Sequence, residues 1–221
     1  MTVSPASIST YWDAAAAAFD DEPDHGLRAA GTRAAWARRL GDWMPPGPAD
    51  VLDIGCGTGS LSLLLAEAGH RVTGVDLAPK MVERAQAKLA AARLPAGFLT
   101  GDAMAPPTGE RRFDVALSRH LLWTLPDPVA ALREWIGRLR PRGRLVLVEG
   151  RWRESGQGGA YVAGPETLPW CGGIGAEELA ETVRPLVSRL RVERLDGEGD
   201  DDLWGKRVDD ERYAVIAEVR G

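Results

Sequence analysis

The sequence has little of several features that particular classes of protein require. It contains two cysteines and three histidines, and none of them shows the close spacing of metal ligands or of a disulfide framework. No run of about eighteen apolar residues occurs, so we expect no membrane partner. The first residues lack a basic segment followed by an apolar one, which predicts no secretory signal. These absences predict a cytoplasmic protein without a metal.

Positive charge is also scarce. The 27 Lys and Arg residues are outnumbered by 32 Asp and Glu, which gives a net charge of −5. Basic clusters occur at 33–39 and 138–144, but a solvated helix face or turn is their common meaning. Because enzymes acting on nucleic acid need a basic face for phosphate contacts, we expect no nucleic-acid partner.

The most informative pattern is a strand followed by a glycine-rich turn and a helix. Val51–Ile54 is an apolar run, and alternate glycines follow it before the apolar helix predicted over 60–68. A residue without Cβ lets backbone and ligand approach closely in such a turn. The glycines are Gly55, Gly57 and Gly59. Asp53 precedes them, where a carboxylate would repel a dinucleotide pyrophosphate but would suit a ligand that carries an ammonium group.

Two more acids follow predicted strands. Asp76 ends the strand 71–76, the position at which nucleotide-binding α/β folds hold ribose hydroxyls. The alternative is that Asp76 caps the next helix, and both roles are compatible. Asp102 follows a third predicted strand, where the alternative is an ordinary surface turn.

The pattern of an acid followed by x-G-x-G-x-G resembles motif I of the class I S-adenosylmethionine-dependent methyltransferases. The segment 139–145 is similar to the L-(R/K)-P-G-G-x-L turn of that family, with Arg142 in place of the first glycine. The resemblance covers residues 45–150. It implies S-adenosyl-L-methionine as cofactor and S-adenosyl-L-homocysteine as product. It also implies that Asp76 holds the ribose and Asp102 the adenine amine. Further implied cofactor contacts are Leu77, Met81, Ala103 and Met104.

The family resemblance also implies the architecture. We expect an α/β Rossmann-like fold with a seven-stranded, mostly parallel sheet in the order 3-2-1-4-5-7-6. The last strand would be antiparallel, helices would cover both faces, and an N-terminal helical lid would close the site. We expect one domain, 1–221, formed by a cap (1–44), a cofactor-binding core (45–150) and a substrate-side part (151–221). Predicted elements outside the core are helices near 5–20, 27–43 and 176–190, a loop at 154–175, and strands near 191–196 and 212–219.

Tyr11 and Trp12 lie in a segment similar to the Y/W-(D/E)-x-x-A-x-x-(Y/F)-D opening of small-molecule methyltransferases. That group includes relatives of the ubiquinone and menaquinone C-methyltransferases, and its first helix folds over the cofactor. Simple helix packing is the alternative for both aromatics.

The acceptor end is predicted from position alone. Ser118, Arg119 and His120 lie at the end of the fourth strand, where they would face the methyl group of the cofactor. Ser118 and Arg119 are candidate cofactor contacts. His120 is the candidate general base, with a hydrogen-bonded structural histidine as the alternative. His25 lies between the N-terminal helices and is a candidate substrate contact that would cap the site. Tryptophans and a tyrosine in loops are candidate pocket walls. They are Trp123, Trp152, Tyr161 and Trp170, with Trp204 also placed beside the pocket and Trp36, Trp43 and Trp135 assigned to the core.

These observations predict methyl transfer to N or O of a small, aromatic or heteroaromatic metabolite, by in-line displacement. The protein would be a monomer or homodimer. Three alternatives stay open: a quinone-type C-methyltransferase, a cofactor-binding protein without turnover, and a dehydrogenase, against which Asp53 argues.

Overall fold

A computed structural model describes residues 4–151 and 168–221 of the chain. Seven strands form one sheet in the order β3-β2-β1-β4-β5-β7-β6. The pairs among β1 to β5 are parallel, and β7 runs antiparallel to both of its neighbours. The predicted order and the antiparallel last strand are therefore confirmed. The strands are β1 (Asp50–Ile54), β2 (Arg71–Asp76), β3 (Ala96–Thr100), β4 (Phe113–Arg119), β5 (Leu139–Arg151), β6 (Arg189–Arg194) and β7 (Glu211–Glu218).

The helices cover both faces of this sheet. Among the described residues they are α1 (Pro5–Ala15), α2 (Pro23–Gly26), α3 (Ala30–Trp43), α4 (Ser60–Glu67), α5 (Pro79–Ala92), α6 (Pro128–Gly137), α7 (Ala176–Val183) and α8 (Asp201–Trp204). One apolar core lies between the sheet and α3, α4 and α5, and the other lies between the sheet and α6 and α7. Among the described residues, no helix combines the length and the apolar character needed to cross a bilayer.

Two predicted helices are shorter than expected. The helix predicted over 5–20 ends at Ala15 and is followed by a 3₁₀ helix, Phe19–Asp21, whose Asp20 bonds to Thr58 across the site. The helix predicted over 176–190 ends at Val183, because Pro185 has no N–H to continue the α pattern. A 3₁₀ turn then leads into β6, which begins at Arg189.

The tryptophans separate into core and site. Trp36, Trp43 and Trp135 are fully buried, as predicted. Trp204 is 1% exposed, and it lines a small side cavity together with His120 and Arg212. Its indole N–H donates to the carbonyl of Leu195 at 2.7 Å, and its ring packs edge-on against Trp36. A short helix, α8, carries it into the core where the sequence suggested only a loop. The division into cap, core and substrate-side part stays a prediction.

Candidate cofactor and acceptor site

A cavity of about 1030 Å³ lies beyond the carboxyl ends of β1, β2 and β4. In open α/β sheets this edge is where ligands bind. Most of the predicted site residues line it: Tyr11, Trp12, His25, Asp53, Gly55, Gly57, Asp76, Leu77, Met81, Asp102, Ala103, Arg119, His120 and Trp123. One cavity therefore collects residues from both the predicted cofactor set and the predicted acceptor set.

Four predicted site residues do not line this cavity, and two others fall outside the described chain. Gly59 packs α4 against α5, and Ser118 is fully buried within β4. Met104 and Trp170 pack against the core beside α6 and α7. Trp152 and Tyr161 lie outside the described residues.

Asp53 is a buried carboxyl near the carboxyl end of β1, just before the glycine turn. Its side chain accepts a hydrogen bond from the Ser62 hydroxyl at 2.6 Å, and the residue is only 3% exposed. Burial raises the pKa of Asp53 to about 6, while the Ser62 hydrogen bond and the Arg119 charge oppose that rise. The group is therefore ionised at neutral pH, and it has no cation within ion-pair distance among the described residues. A ligand ammonium would supply that partner.

Asp76 bridges the glycine turn and the start of α5. One carboxylate oxygen accepts the N–H of Gly57 at 2.9 Å, and the other accepts the N–H of Ala78 at 2.9 Å. Burial raises the pKa of Asp76, and both backbone hydrogen bonds lower it. Asp76 is not the N-cap of α5, since Ala78 holds that position and no side chain caps the helix; the ribose role stays a prediction. Asp102 similarly accepts the N–H of Met104 at 2.8 Å, which fixes the turn after β3.

The N-terminal segment closes over the glycine turn. Phe19 lies above Gly57, where an added Cβ would come within 3.3 Å of the Phe19 ring. Asp20 accepts a hydrogen bond from Thr58 and forms an ion pair with Lys88 at 3.0 Å. Lys88 also donates to Thr58 and Ser60, so three elements are tied together. Phe19 and Asp20 form the end of the N-terminal motif but were not assigned to the site, and no motif pointed to Lys88.

At the other end of the cavity lie two histidines and two arginines. His120 has a left-handed backbone, with φ +55°, and its ring stacks on Trp204. Its Nε2 lies 3.4 Å from the Arg212 guanidinium. Burial, followed by the charges of Arg212 and Arg119, lowers the pKa of His120 well below its ordinary value. The ring is therefore neutral at pH 7, and an arginine contacts one of its nitrogens.

His25 faces the same end. Its ring stacks on Phe19 with centroids 4.3 Å apart, and its Nε2 lies 3.8 Å from the Asp24 carboxylate. Burial lowers the pKa of His25 more than Asp24 raises it. Arg119 donates to the Asp24 carbonyl at 2.6 Å and lies 4.9 Å above the Trp36 ring. This arrangement fixes the position of α2 at the cavity wall.

A buried glutamate holds the turn that carries His120. Glu149 accepts the N–H groups of Leu121 and Leu122, each at 3.0 Å, and it is fully buried. Burial raises its pKa to about 8, against the effect of both backbone hydrogen bonds. The residue is therefore mostly protonated at pH 7. No sequence motif pointed to it.

The loop between α8 and β7 supplies the remaining wall. Arg212 is held by Asp210 through two contacts, at 2.7 and 2.9 Å, and its guanidinium packs over Trp204. The loop residues Lys206, Arg207, Asp209 and Asp210 line the cavity with Arg212. Nothing in their spacing identified them as site residues. The only available signal was the position of Arg212 at the start of a predicted final strand.

Known methyltransferases resemble this chain in sequence. A family model described as a methyltransferase domain matches residues 52–147. The demethylmenaquinone methyltransferase of Thermus thermophilus is 35% identical over 144 residues, which are 63% of this chain and 66% of that protein. The malonyl-[acyl-carrier protein] O-methyltransferase of Pseudescherichia vulneris is 33% identical, over 72% of this chain and 62% of that protein. The chain thus spans less than two thirds of the length of either relative.

The fold also has a match that spans the whole chain. The crystal structure of the N-methyltransferase NodS from Bradyrhizobium japonicum, in complex with S-adenosyl-L-homocysteine, superposes with a TM-score of 0.67. The match covers 97% of this chain and all of that one, at 17% sequence identity. At 17% sequence identity, this match shows a shared fold and nothing more.

Proposed function

We propose that this chain, which belongs to the class I S-adenosylmethionine-dependent methyltransferases, transfers a methyl group from S-adenosylmethionine to a small molecule. The supporting observation is the buried Asp53 carboxylate beside the glycine turn, in a cavity that also contains Asp76 and Asp102. A buried carboxylate needs a cationic partner, and the cofactor ammonium meets that need.

The other contacts in this half fit the same ligand. Gly55 and Gly57 have φ of +69° and +53°, a conformation that lets backbone approach a ligand closely. Asp76 would hold the ribose, and Leu77, Met81 and Ala103 would pack against adenine. When bound, the cofactor supplies an electrophilic methyl carbon. The protein has to hold the acceptor in line with it and exclude water.

The acceptor half favours a molecule with an apolar or flat body and a polar end. Ile8, Trp12, Trp123 and Leu168 form an apolar cluster at the cavity, whereas His25, His120 and Arg212 lie in a polar part of the wall. Large aromatic side chains suit a flat acceptor. We therefore propose transfer to N or O of a small aromatic or heteroaromatic metabolite. His120 is the candidate base, provided that the acceptor displaces the Arg212 contact.

A quinone-type C-methyltransferase is the second candidate function. The Thermus thermophilus relative favours it, since its name specifies demethylmenaquinone. Such an acceptor also has an aromatic head and an apolar tail, and the cavity volume of about 1030 Å³ leaves room beside the cofactor.

Calorimetry with the purified chain tests the cofactor. We expect saturable binding of S-adenosylmethionine and S-adenosylhomocysteine, and none of nicotinamide dinucleotide. Saturation by the dinucleotide alone would contradict the proposal. Release of S-adenosylhomocysteine is then measured with phenols, aromatic amines and short-chain quinols. Cofactor binding without release for any acceptor would favour a binding protein without turnover.

A further inference from the structure

Three potential metal ligands converge at the acceptor end of the cavity. Asp24, His25 and His120 each offer one ligand atom, and these atoms lie within 4.8 Å of one another. Asp24 and His25 are adjacent in α2, and the tertiary fold brings His120, which follows β4, next to them.

Each of the three residues is held in place by its surroundings. Asp24 is buried, and Arg119 bonds to its carbonyl. His25 is stacked on Phe19, and His120 is stacked on Trp204 in a left-handed backbone conformation. Such a backbone is costly for a non-glycine residue and is typical of functional sites. The ligand set is therefore positioned before any ion binds.

The chemistry of the set suits a transition metal. Two imidazoles and one carboxylate are the ligand types preferred by Zn²⁺, Co²⁺ and Fe²⁺. His25 also has a buried Nδ1 without a hydrogen-bond partner among the described residues. The cluster borders the main cavity and a side cavity of about 170 Å³, which leaves space for further ligands such as water or an acceptor oxygen. We propose that Asp24, His25 and His120 bind one divalent transition-metal ion at the acceptor end of the cavity.

Two arginine side chains place positive charge beside the three proposed ligands. Arg212 contacts Nε2 of His120 at 3.4 Å, and Arg119 lies nearby, bonded to the Asp24 backbone. Arg212 is itself paired with Asp210, so its charge is partly compensated. A bound ion would have to compete with the Arg212 guanidinium for His120. Removal of that guanidinium should therefore strengthen ion binding, the opposite of its effect on an anion site.

The experiment is a calorimetric titration of chelator-treated protein with Zn²⁺ and, separately, with Co²⁺, whose visible absorption reports its ligands. We expect one ion per chain. His25→Ala and Asp24→Asn should each weaken binding about 100-fold. His120→Asn should do the same, and asparagine tolerates the left-handed backbone at that position. His70→Ala is the matched control, because His70 is the remaining histidine of the chain and lies between α4 and β2.

Two more variants test whether Cys171 binds the ion and whether the Arg212 guanidinium opposes its binding. Cys171→Ser should leave the affinity unchanged, and Arg212→Met should tighten it several-fold. The assignment is overturned if the native chain takes up neither ion at millimolar concentration. It is also overturned if the histidine variants bind as well as the native chain, if Cys171→Ser abolishes uptake, or if Arg212→Met weakens it. Thermal unfolding without metal checks that each variant is folded.

This inference does not rest on the proposed methyltransferase activity, and His120 would not serve as the general base while it holds the ion. Binding of S-adenosylhomocysteine is measured on the same samples with and without ion. If the native chain binds S-adenosylhomocysteine but takes up no ion, the proposed metal site is refuted and the proposed function is not.

Discussion

The two ends of the cavity are built in different ways. The cofactor end consists of consecutive strand–turn–helix units, with Asp53, Asp76 and Asp102 each at or just after the end of a strand. The acceptor end combines α2, the turn after β4 and the start of β7, which bring His25, His120 and Arg212 together. Local sequence therefore determines the first end, whereas only tertiary packing produces the second.

Each end contains a buried carboxyl group, and the two differ in their surroundings. Asp53 has one side-chain hydrogen-bond partner and lines the cavity. Glu149 accepts two backbone N–H groups and is not part of the cavity wall, although its second oxygen has no partner among the described residues. The first carboxyl is placed to meet a ligand, and the second holds the turn that carries His120.

The largest expected effect concerns Glu149. Its pKa is raised to about 8, so the protonated form is the one that the fold stabilises. Stability from this group is fully present below the ordinary glutamate pKa and is lost as pH rises through about 8. Relative to Glu149→Gln, the native chain should lose about 4 kcal/mol of unfolding free energy between pH 5 and pH 9.

Urea unfolding of both proteins across that range measures the difference. Asp53→Asn is the comparison variant, since its difference from the native chain should arise at lower pH, up to about 6, where Asp53 itself ionises. Parallel stability curves for the native chain and Glu149→Gln would mean that the turn after β4 does not depend on a protonated carboxyl.

Gly59→Ala tests whether packing alone explains part of the glycine motif. Gly59 has φ +77°, and an added Cβ would lie 2.8 Å from Cβ of Ala85 in α5. Strain and overlap together should lower the unfolding free energy by about 3 kcal/mol. Gly69→Ala is the matched control, because Gly69 has φ +89° but no atom within 4 Å of the added Cβ.

The control should lose only the backbone cost, about 1–2 kcal/mol. Equal losses in chemical denaturation would show that α5 moves away at little cost. Gly59 would then lose its role as the packing glycine at the cofactor end.

The sequence predicted the sheet and the cofactor end because both depend on short-range patterns. Apolar runs defined strands such as β1 and β2, and turn glycines with neighbouring acids defined the loops between them. Even there, Gly59 and Met104 were assigned to the ligand on the strength of the motif. The structure places both against the protein core.

The acceptor end could not be predicted to the same degree. Asp24 and His120 are far apart in sequence, so no spacing rule for metal ligands applies to them. The sequence predicted Trp204 in a loop, whereas it lies at the end of α8 with its ring stacked on His120. The role of Glu149 could not be predicted from the sequence, because its hydrogen-bond partners are backbone N–H groups. Long-range packing decides each of these positions, and a single sequence does not encode it in a local pattern.

The smallest of the three effects returns to the cofactor end. Asp53→Asn removes the charged partner of the cofactor ammonium and should raise the dissociation constant of S-adenosylhomocysteine about 30-fold, or about 2 kcal/mol. Native affinity should also fall as pH drops below about 6, since Asp53 is then protonated, whereas the variant should lack this pH dependence. Asp50→Asn is the control: it lies on the same strand, pairs with Arg71 and Arg140, and does not line the cavity. Equal losses of affinity in both variants, measured by calorimetry, would place the ammonium elsewhere and remove the distinction between the two ends of the cavity.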